Sequence, residues 1–111
     1  MTRSSEYLAE FELYVMLALA RPRAEGYGAA VRREIEERAG RPVSIGAVYA
    51  TLGRLEERGL LEHEISEPLP VRGGRSRKLY RLTEAGRAAL LTSASMLVRM
   101  MDGVPLARGE R

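Results

Sequence analysis

The chain has 111 residues, 45% of them apolar and 30% charged, which is the composition of one small folded domain rather than a disordered segment. It has no cysteine and one histidine, so disulfides and thiolate metal sites are excluded, and a catalytic constellation has few candidate members. The net charge of +3 hides an asymmetry: residues 72–81 hold Arg72, Arg75, Arg77, Lys78 and Arg81 with no acid, while the remainder is slightly negative. Such a concentrated basic segment points to a local polyanion contact.

The first helix is expected to begin after Ser4 or Ser5 and to run through Leu8, Phe11, Val15 and Ala18. From Leu13 to Ala20 it is apolar almost all round. A helix of that kind has to be covered on every side, by its own domain or by a second subunit. Pro22 ends it by restricting Arg21.

The second helix reads from Tyr27 or Gly28 to Ala39. Tyr27, Val31, Ile35 and Ala39 form a four-spaced stripe, and Arg32, Arg33, Glu34, Glu36, Glu37 and Arg38 fill the solvated side. Gly40 and Pro42 stop it. The short turn through Val43 forces the next helix to pack on this one, the helix–turn–helix arrangement.

That next helix is opened by Ser44 as N-cap and closed by Gly59. Ile45, Val48, Leu52 and Leu55 share one face. The opposite face carries Gly46, Tyr49, Ala50 and Gly53, with Arg54 at its edge. A solvated helix face normally carries long charged residues, whereas this one is built of small residues and one Tyr. It suits close approach to something large, and the reading is a recognition helix for the DNA major groove.

Leu61–Glu67 alternates as a strand with Leu61, His63 and Ile65 on one side, and Arg77–Thr83 alternates again with Tyr80 and Leu82 on one side. The Pro- and Gly-containing loop between them, residues 68–76, makes the pair a basic wing. Thr83 then caps a last helix reaching about Asp102. In it Leu90, Ala94, Leu97, Met101 and Val104 step by four and three, with Leu91 and Val98 beside them, a heptad-like seam with no evident use inside the domain. The fold class expected is mainly α (α+β): a winged helix–turn–helix over residues 1–83, a C-terminal dimerisation helix over 84–103 and a flexible tail over 104–111.

Each functional reading has a plainer one beside it. Tyr49 could be half-buried core, Arg54 could pair with Glu57 or Glu36, and Arg32 and Arg33 are read as solvated. His63 is read as a packed side chain, and Met96, Met100 and Met101 as adaptable packing. No triad, phosphate-cradling loop or metal-ligand spacing is present, so an enzyme is rejected and no cofactor or metal is expected. The alternative function is a winged helix that binds another protein without touching DNA; its faces would be acidic or apolar rather than basic and small.

Three blocks carry a resemblance: Tyr27-Gly28, the run Ser44–Leu61, and Arg72-Gly-Gly-Arg-Ser-Arg-Lys-Leu-Tyr-Arg-Leu-Thr-Glu-Ala-Gly-Arg87. Together they resemble the PadR family of bacterial transcriptional regulators, in order and without a gap over residues 8–103. The resemblance implies a homodimer that binds a pseudo-palindromic DNA operator, usually as a repressor, with a small-molecule effector as a candidate further partner. It implies DNA contacts from Ser44, Tyr49 and Arg54 in the recognition helix and from Arg72, Arg75, Arg77 and Lys78 in the wing, and the small-residue face adds Gly46 and Ala50 as expected contacts. The dimer interface is expected at Leu13, Leu17, Leu90, Ala94, Leu97, Val98 and Met101. Many relatives carry a Trp near Met100 or Met101, and this chain has none, which weakens any carry-over of an aromatic ligand pocket. No apolar run approaches the ~20 residues of a membrane span. Met1-Thr-Arg-Ser-Ser5 leads into no continuous apolar signal region. The expected location is the cytoplasm, with no membrane partner.

Overall fold

The structure is a computed structural model and describes residues 7–67 and 76–106. Its elements run α1 (Glu10–Ala20), α2 (Gly28–Ala39), α3 (Ile45–Glu57), β1 (Leu61–Ile65), β2 (Lys78–Leu82) and α4 (Glu84–Met101). The three helices, the two-stranded antiparallel hairpin and the closing helix make a winged helix–turn–helix.

α1 starts later than the apolar pattern predicts. Ala9 is its N-cap, and Glu12 reaches back to accept from the Ala9 N–H at 2.9 Å, so Leu8 lies before the helix and not in it. Leu8 is nevertheless buried. Val15, Met16, Ala18 and Leu19 are buried, and Phe11, Leu13 and Tyr14 pack partly against the same core. The domain itself thus covers most of this helix, leaving Leu17 and Ala20 exposed.

α2 ends at Gly40, whose φ of 71° is left-handed and whose N–H donates to Glu36 O. A side chain at that backbone geometry would be strained, which is why glycine marks the stop. The Glu36 carboxylate then accepts from the Val43 N–H at 3.0 Å and pins the turn into α3. Of the predicted α2 stripe Val31 and Ile35 are buried, Tyr27 is half-buried and Ala39 is exposed.

Val48, Thr51, Leu52 and Leu55 of α3 are fully enclosed against α1 and α2. Burying a side chain such as Leu52 or Leu55 contributes about 2 kcal/mol each, so this face fixes which side of α3 turns outward. The hairpin pairs Leu61 with Leu82, His63 with Tyr80 and Ile65 with Lys78. Leu61, Tyr80 and Leu82 enter the core, whereas Ile65 is exposed at the outer end of the strand. The regular ladder ends at Ile65 and Lys78, and one further backbone bond, from the Ser66 N–H to Arg77 O at 2.8 Å, continues the pairing towards the loop.

The start of α4 is anchored to the hairpin base. Thr83 Oγ1 accepts from the Gly86 N–H at 3.0 Å and donates to Gly59 O at 2.7 Å, while the Thr83 N–H donates to Leu60 O. Gly86 sits so close to the Leu60 carbonyl that a Cβ there would overlap its oxygen. One turn on, Leu90 is buried in the core, and one further turn brings Ser93, whose Oγ accepts from the Leu8 N–H at 3.2 Å. The seam as first drawn therefore changes at its beginning: Leu90 faces the chain's own core, because the first half of α4 closes the domain.

Candidate nucleic-acid interface

α3 presents its outward face because its inward one is committed. Ser44 Oγ accepts from the Ala47 N–H at 3.0 Å, an N-cap that holds the first turn. Ser44, Gly46, Ala47, Tyr49, Ala50 and Arg54 are all exposed, and the predicted contact residues of this helix are thus brought onto one surface. Arg54 Nη2 donates to Thr51 Oγ1 at 3.0 Å. Among the described residues no carboxylate lies within ion-pair distance of Arg54, so the pairing with Glu57 or Glu36 does not occur.

Gly46 and Gly53 lie seven residues apart and hence on the same face. A Cβ at either would meet no atom within 4 Å, and neither has a positive φ. The fold makes no use of their missing side chains.

Tyr49 is 48% exposed, but its ring is seated. A Cβ on Gly28 would stand 2.5 Å from the ring carbons Cε1 and Cζ, so the glycine at the start of α2 is what lets the ring lie down there. The neighbouring residue Tyr27 carries the wing: the Arg77 guanidinium carbon stands 3.7 Å from the centre of the Tyr27 ring. Tyr27 also influences Arg33, whose guanidinium is pushed above its ordinary pKa chiefly by the Tyr27 hydroxyl, with Glu25 and Glu37 adding to it. Sequence reasoning placed Tyr27 in the apolar stripe of α2 and used Tyr27-Gly28 as a signature, without linking either residue to Arg77 or Tyr49. No sequence signal marks these contacts, because each joins residues far apart in the chain.

At the wing, Lys78 is exposed and Arg77 is half-buried against Tyr27, while Arg72 and Arg75 lie outside the described residues. The hairpin is held from below. Gly26, at φ 77°, accepts the Tyr80 N–H on its carbonyl at 2.8 Å, and a Cβ there would run into the Tyr80 carbonyl. His63 Nδ1 is 2.6 Å from Glu56 Oε2, which joins β1 to the end of α3, and the His63 ring lies 5.3 Å from that of Tyr80. His63 is thus a packed link between α3 and the hairpin. Burial, more than the nearby Glu56 and Tyr49, pushes the Tyr80 hydroxyl pKa up.

Of the residues expected at a dimer seam, Leu97, Val98 and Met101 are exposed on α4, Ala94 is half-buried, and Leu17 is exposed on α1. Leu13 packs partly into the core and Leu90 lies within it. Leu91 and Met100 join the exposed apolar surface of α4. No metal-ligating cluster occurs among the described residues, and no described helix is long and apolar enough to cross a membrane.

Known proteins share this arrangement. The model of the transcriptional regulator PadR-like family matches residues 16–92, from α1 through the first half of α4. The transcriptional regulator Rv3488 of Mycobacterium tuberculosis is 50% identical over 66 residues, which cover 60% of this chain and 57% of that protein's length. Two solved structures are similar along most of their length. A PadR-like transcription factor from Bacteroides fragilis is 28% identical, with a TM-score of 0.68, over 81% of this chain and 82% of its own. A PadR family transcriptional regulator from Eggerthella lenta is 32% identical, with a TM-score of 0.66, over 85% and 83%. With the family pattern spanning more than half of the sequence and the same helix–wing–helix order in its solved members, this chain belongs to the PadR-like family of transcriptional regulators.

Proposed function

We propose that the protein is a homodimeric, sequence-specific DNA-binding repressor acting in the cytoplasm. The observation that carries the reading is the pair Gly46 and Gly53 on the outward face of α3. Glycine within a helix costs about 0.5–1 kcal/mol relative to alanine, and nothing in the protein's own packing asks for either residue. With Ala47 and Ala50 they leave a surface on which another backbone can come close, flanked by Tyr49 and Arg54. Double-stranded DNA, entered through its major groove, suits that surface. Arg72, Arg75, Arg77 and Lys78 add the cations that would meet phosphates.

Small residues donate few hydrogen bonds. Base reading in this scheme therefore rests on Tyr49 and Arg54, on methyl contacts from Ala47 and Ala50, and on DNA shape. The exposed apolar surface of α4 supplies the self-association face, and paired recognition helices call for half-sites about one helical turn, ~34 Å, apart. Release by a small-molecule effector belongs to the same reading as the signal that would lift repression.

The test is binding of the protein to duplex DNA from its own promoter region across a series of salt concentrations. The reading expects specific binding whose affinity falls steeply with salt. A flat salt response, or equal affinity for unrelated duplexes, would count against it.

A further inference from the structure

The two surfaces assigned to DNA meet at one point inside the protein, the first residues of α2. The Tyr49 ring of the recognition helix lies on Gly28, and the Arg77 guanidinium of the wing lies over the ring of Tyr27 at 3.7 Å. Tyr27 is half-buried and caps α2 from an extended conformation, so its backbone is fixed by the helix that follows. The base of the wing is tied to the adjoining turn through Gly26 and Tyr80, and Arg77 is held at its own backbone by the Ser66 hydroxyl, which accepts its N–H at 2.9 Å. Arginine has a long side chain whose rotamer freedom is expensive to freeze on binding. An aromatic face that already holds the guanidinium plane removes part of that cost while leaving the charge intact.

We propose that Tyr27 is a positioning residue for DNA binding: its ring pre-orders Arg77 of the wing beside the seat of Tyr49, so that wing and recognition helix present one rigid surface. Tyr27 acts through Arg77 and makes no contact with DNA of its own. This inference rests on the DNA-binding reading above. It adds that the Tyr27-Gly28 pair exists to register the two DNA-facing elements with each other, Tyr27 by stacking and Gly28 by making room.

The experiment is a double-mutant cycle on the full chain, read by fluorescence anisotropy with promoter-region duplex at several salt concentrations. Tyr27→Phe keeps the ring and is expected to bind like the unaltered protein. Tyr27→Leu and Arg77→Ala should each weaken binding by about tenfold, the order expected of a partly desolvated cation–π contact. The double variant should be no weaker than Arg77→Ala alone, because the two side chains act as a unit. Losses that multiply, or a Tyr27→Leu protein that binds normally, would overturn the proposal. So would equal damage from Tyr27→Phe, which would put the effect on the hydroxyl.

Should Tyr27→Leu not fold, Arg77→Lys asks the same question from the other partner, since lysine keeps the charge but lacks the stacking plane. It is expected to lose affinity severalfold, and unchanged affinity would refute the stack's role. The ring-current shift of the Arg77 side-chain protons gives a readout without DNA: present in the unaltered protein and lost in Tyr27→Leu. If the unaltered protein binds no duplex while that shift is present, the DNA-binding reading fails; if it binds but the losses multiply, only the role of Tyr27 fails.

Discussion

The ring of Tyr49 occupies the space that a side chain on Gly28 would need. The atoms a Cβ would strike are the far end of a flexible side chain, so Gly28→Ala is expected to move the ring and not to unfold the domain. Alanine also favours the first turn of α2. The variant should melt within a few degrees of the unaltered protein yet bind promoter DNA about tenfold less tightly, which thermal melting and anisotropy together would show. Normal binding would mean that Tyr49 works equally well off its seat.

A similar uncoupling is expected on α3. Gly46→Ala with Gly53→Ala fills open space and removes two weak helix positions, so stability should rise by about 1 kcal/mol in denaturant unfolding. Operator affinity should fall as the added methyl groups hold the DNA off. Gain of stability with full affinity would remove the main argument for the recognition face.

Gly86 behaves in the opposite way. A methyl group there meets the backbone oxygen of Leu60, which cannot swing aside, at the place where Thr83 already ties α4 to the hairpin base. Gly86→Ala is expected to cost roughly 2–3 kcal/mol in urea unfolding, in line with other overpacked sites. A cost below about 0.5 kcal/mol would show that α4 can slide along the hairpin.

For the outer surface of α4, Leu97→Glu should leave the monomer folded and abolish the proposed self-association in sedimentation experiments, since Leu97 is 52% exposed. Operator binding should fall with it, as each half-site would then have to be bound alone.

Tyr80 predicts an alkaline limit. Burial above all holds its pKa above that of an ordinary tyrosine, so folding disfavours the phenolate. Stability from this group is complete below the unfolded value and is lost as pH rises through the folded one. In a pH-jump titration followed by tyrosinate absorbance, Tyr80 should ionise above the ordinary phenol range or together with unfolding; ionisation below that range would contradict its burial.

Several elements of this fold were legible because chemistry marks their ends, whereas the start of α1, with Ala9 as its N-cap, carried no such mark. Ser44 and Thr83 cap, Gly40 and Gly59 stop, and the apolar stripes of α2 and α3 point one way. The face of α3 was equally legible, since burying Val48, Leu52 and Leu55 leaves only one side to show. What periodicity does not carry is which partner an apolar side chain finds. Leu90 and Leu97 have the same chemistry and the same heptad register, yet one closes the domain and the other faces out. Nor does spacing show that Tyr27 and Arg77, fifty residues apart, stack, or that Leu8 reaches Ser93. Those contacts depend on where the hairpin and the ends of α1 and α4 are carried in space.

The hydrogen bond from Leu8 to Ser93 has a mechanical consequence. It pins α4 to the body halfway along the helix, and beyond it burial fades through Ala94, Ser95 and Met96 until Leu97 onward is exposed. From the Ser93 anchor to Met101 the outer part of the helix is about 12 Å long at 1.5 Å per residue, a rod whose tip is exposed. It has no joint at its root, because Thr83, Gly86, Leu90 and Ser93 all hold that root. Two copies gripping each other by these rods would behave as a caliper of fixed gauge: the separation of the recognition helices would be set by where along the rods they cross. A small change of that crossing would be delivered undiminished at the DNA, and shortening or lengthening the rod by a few residues would select a different operator spacing.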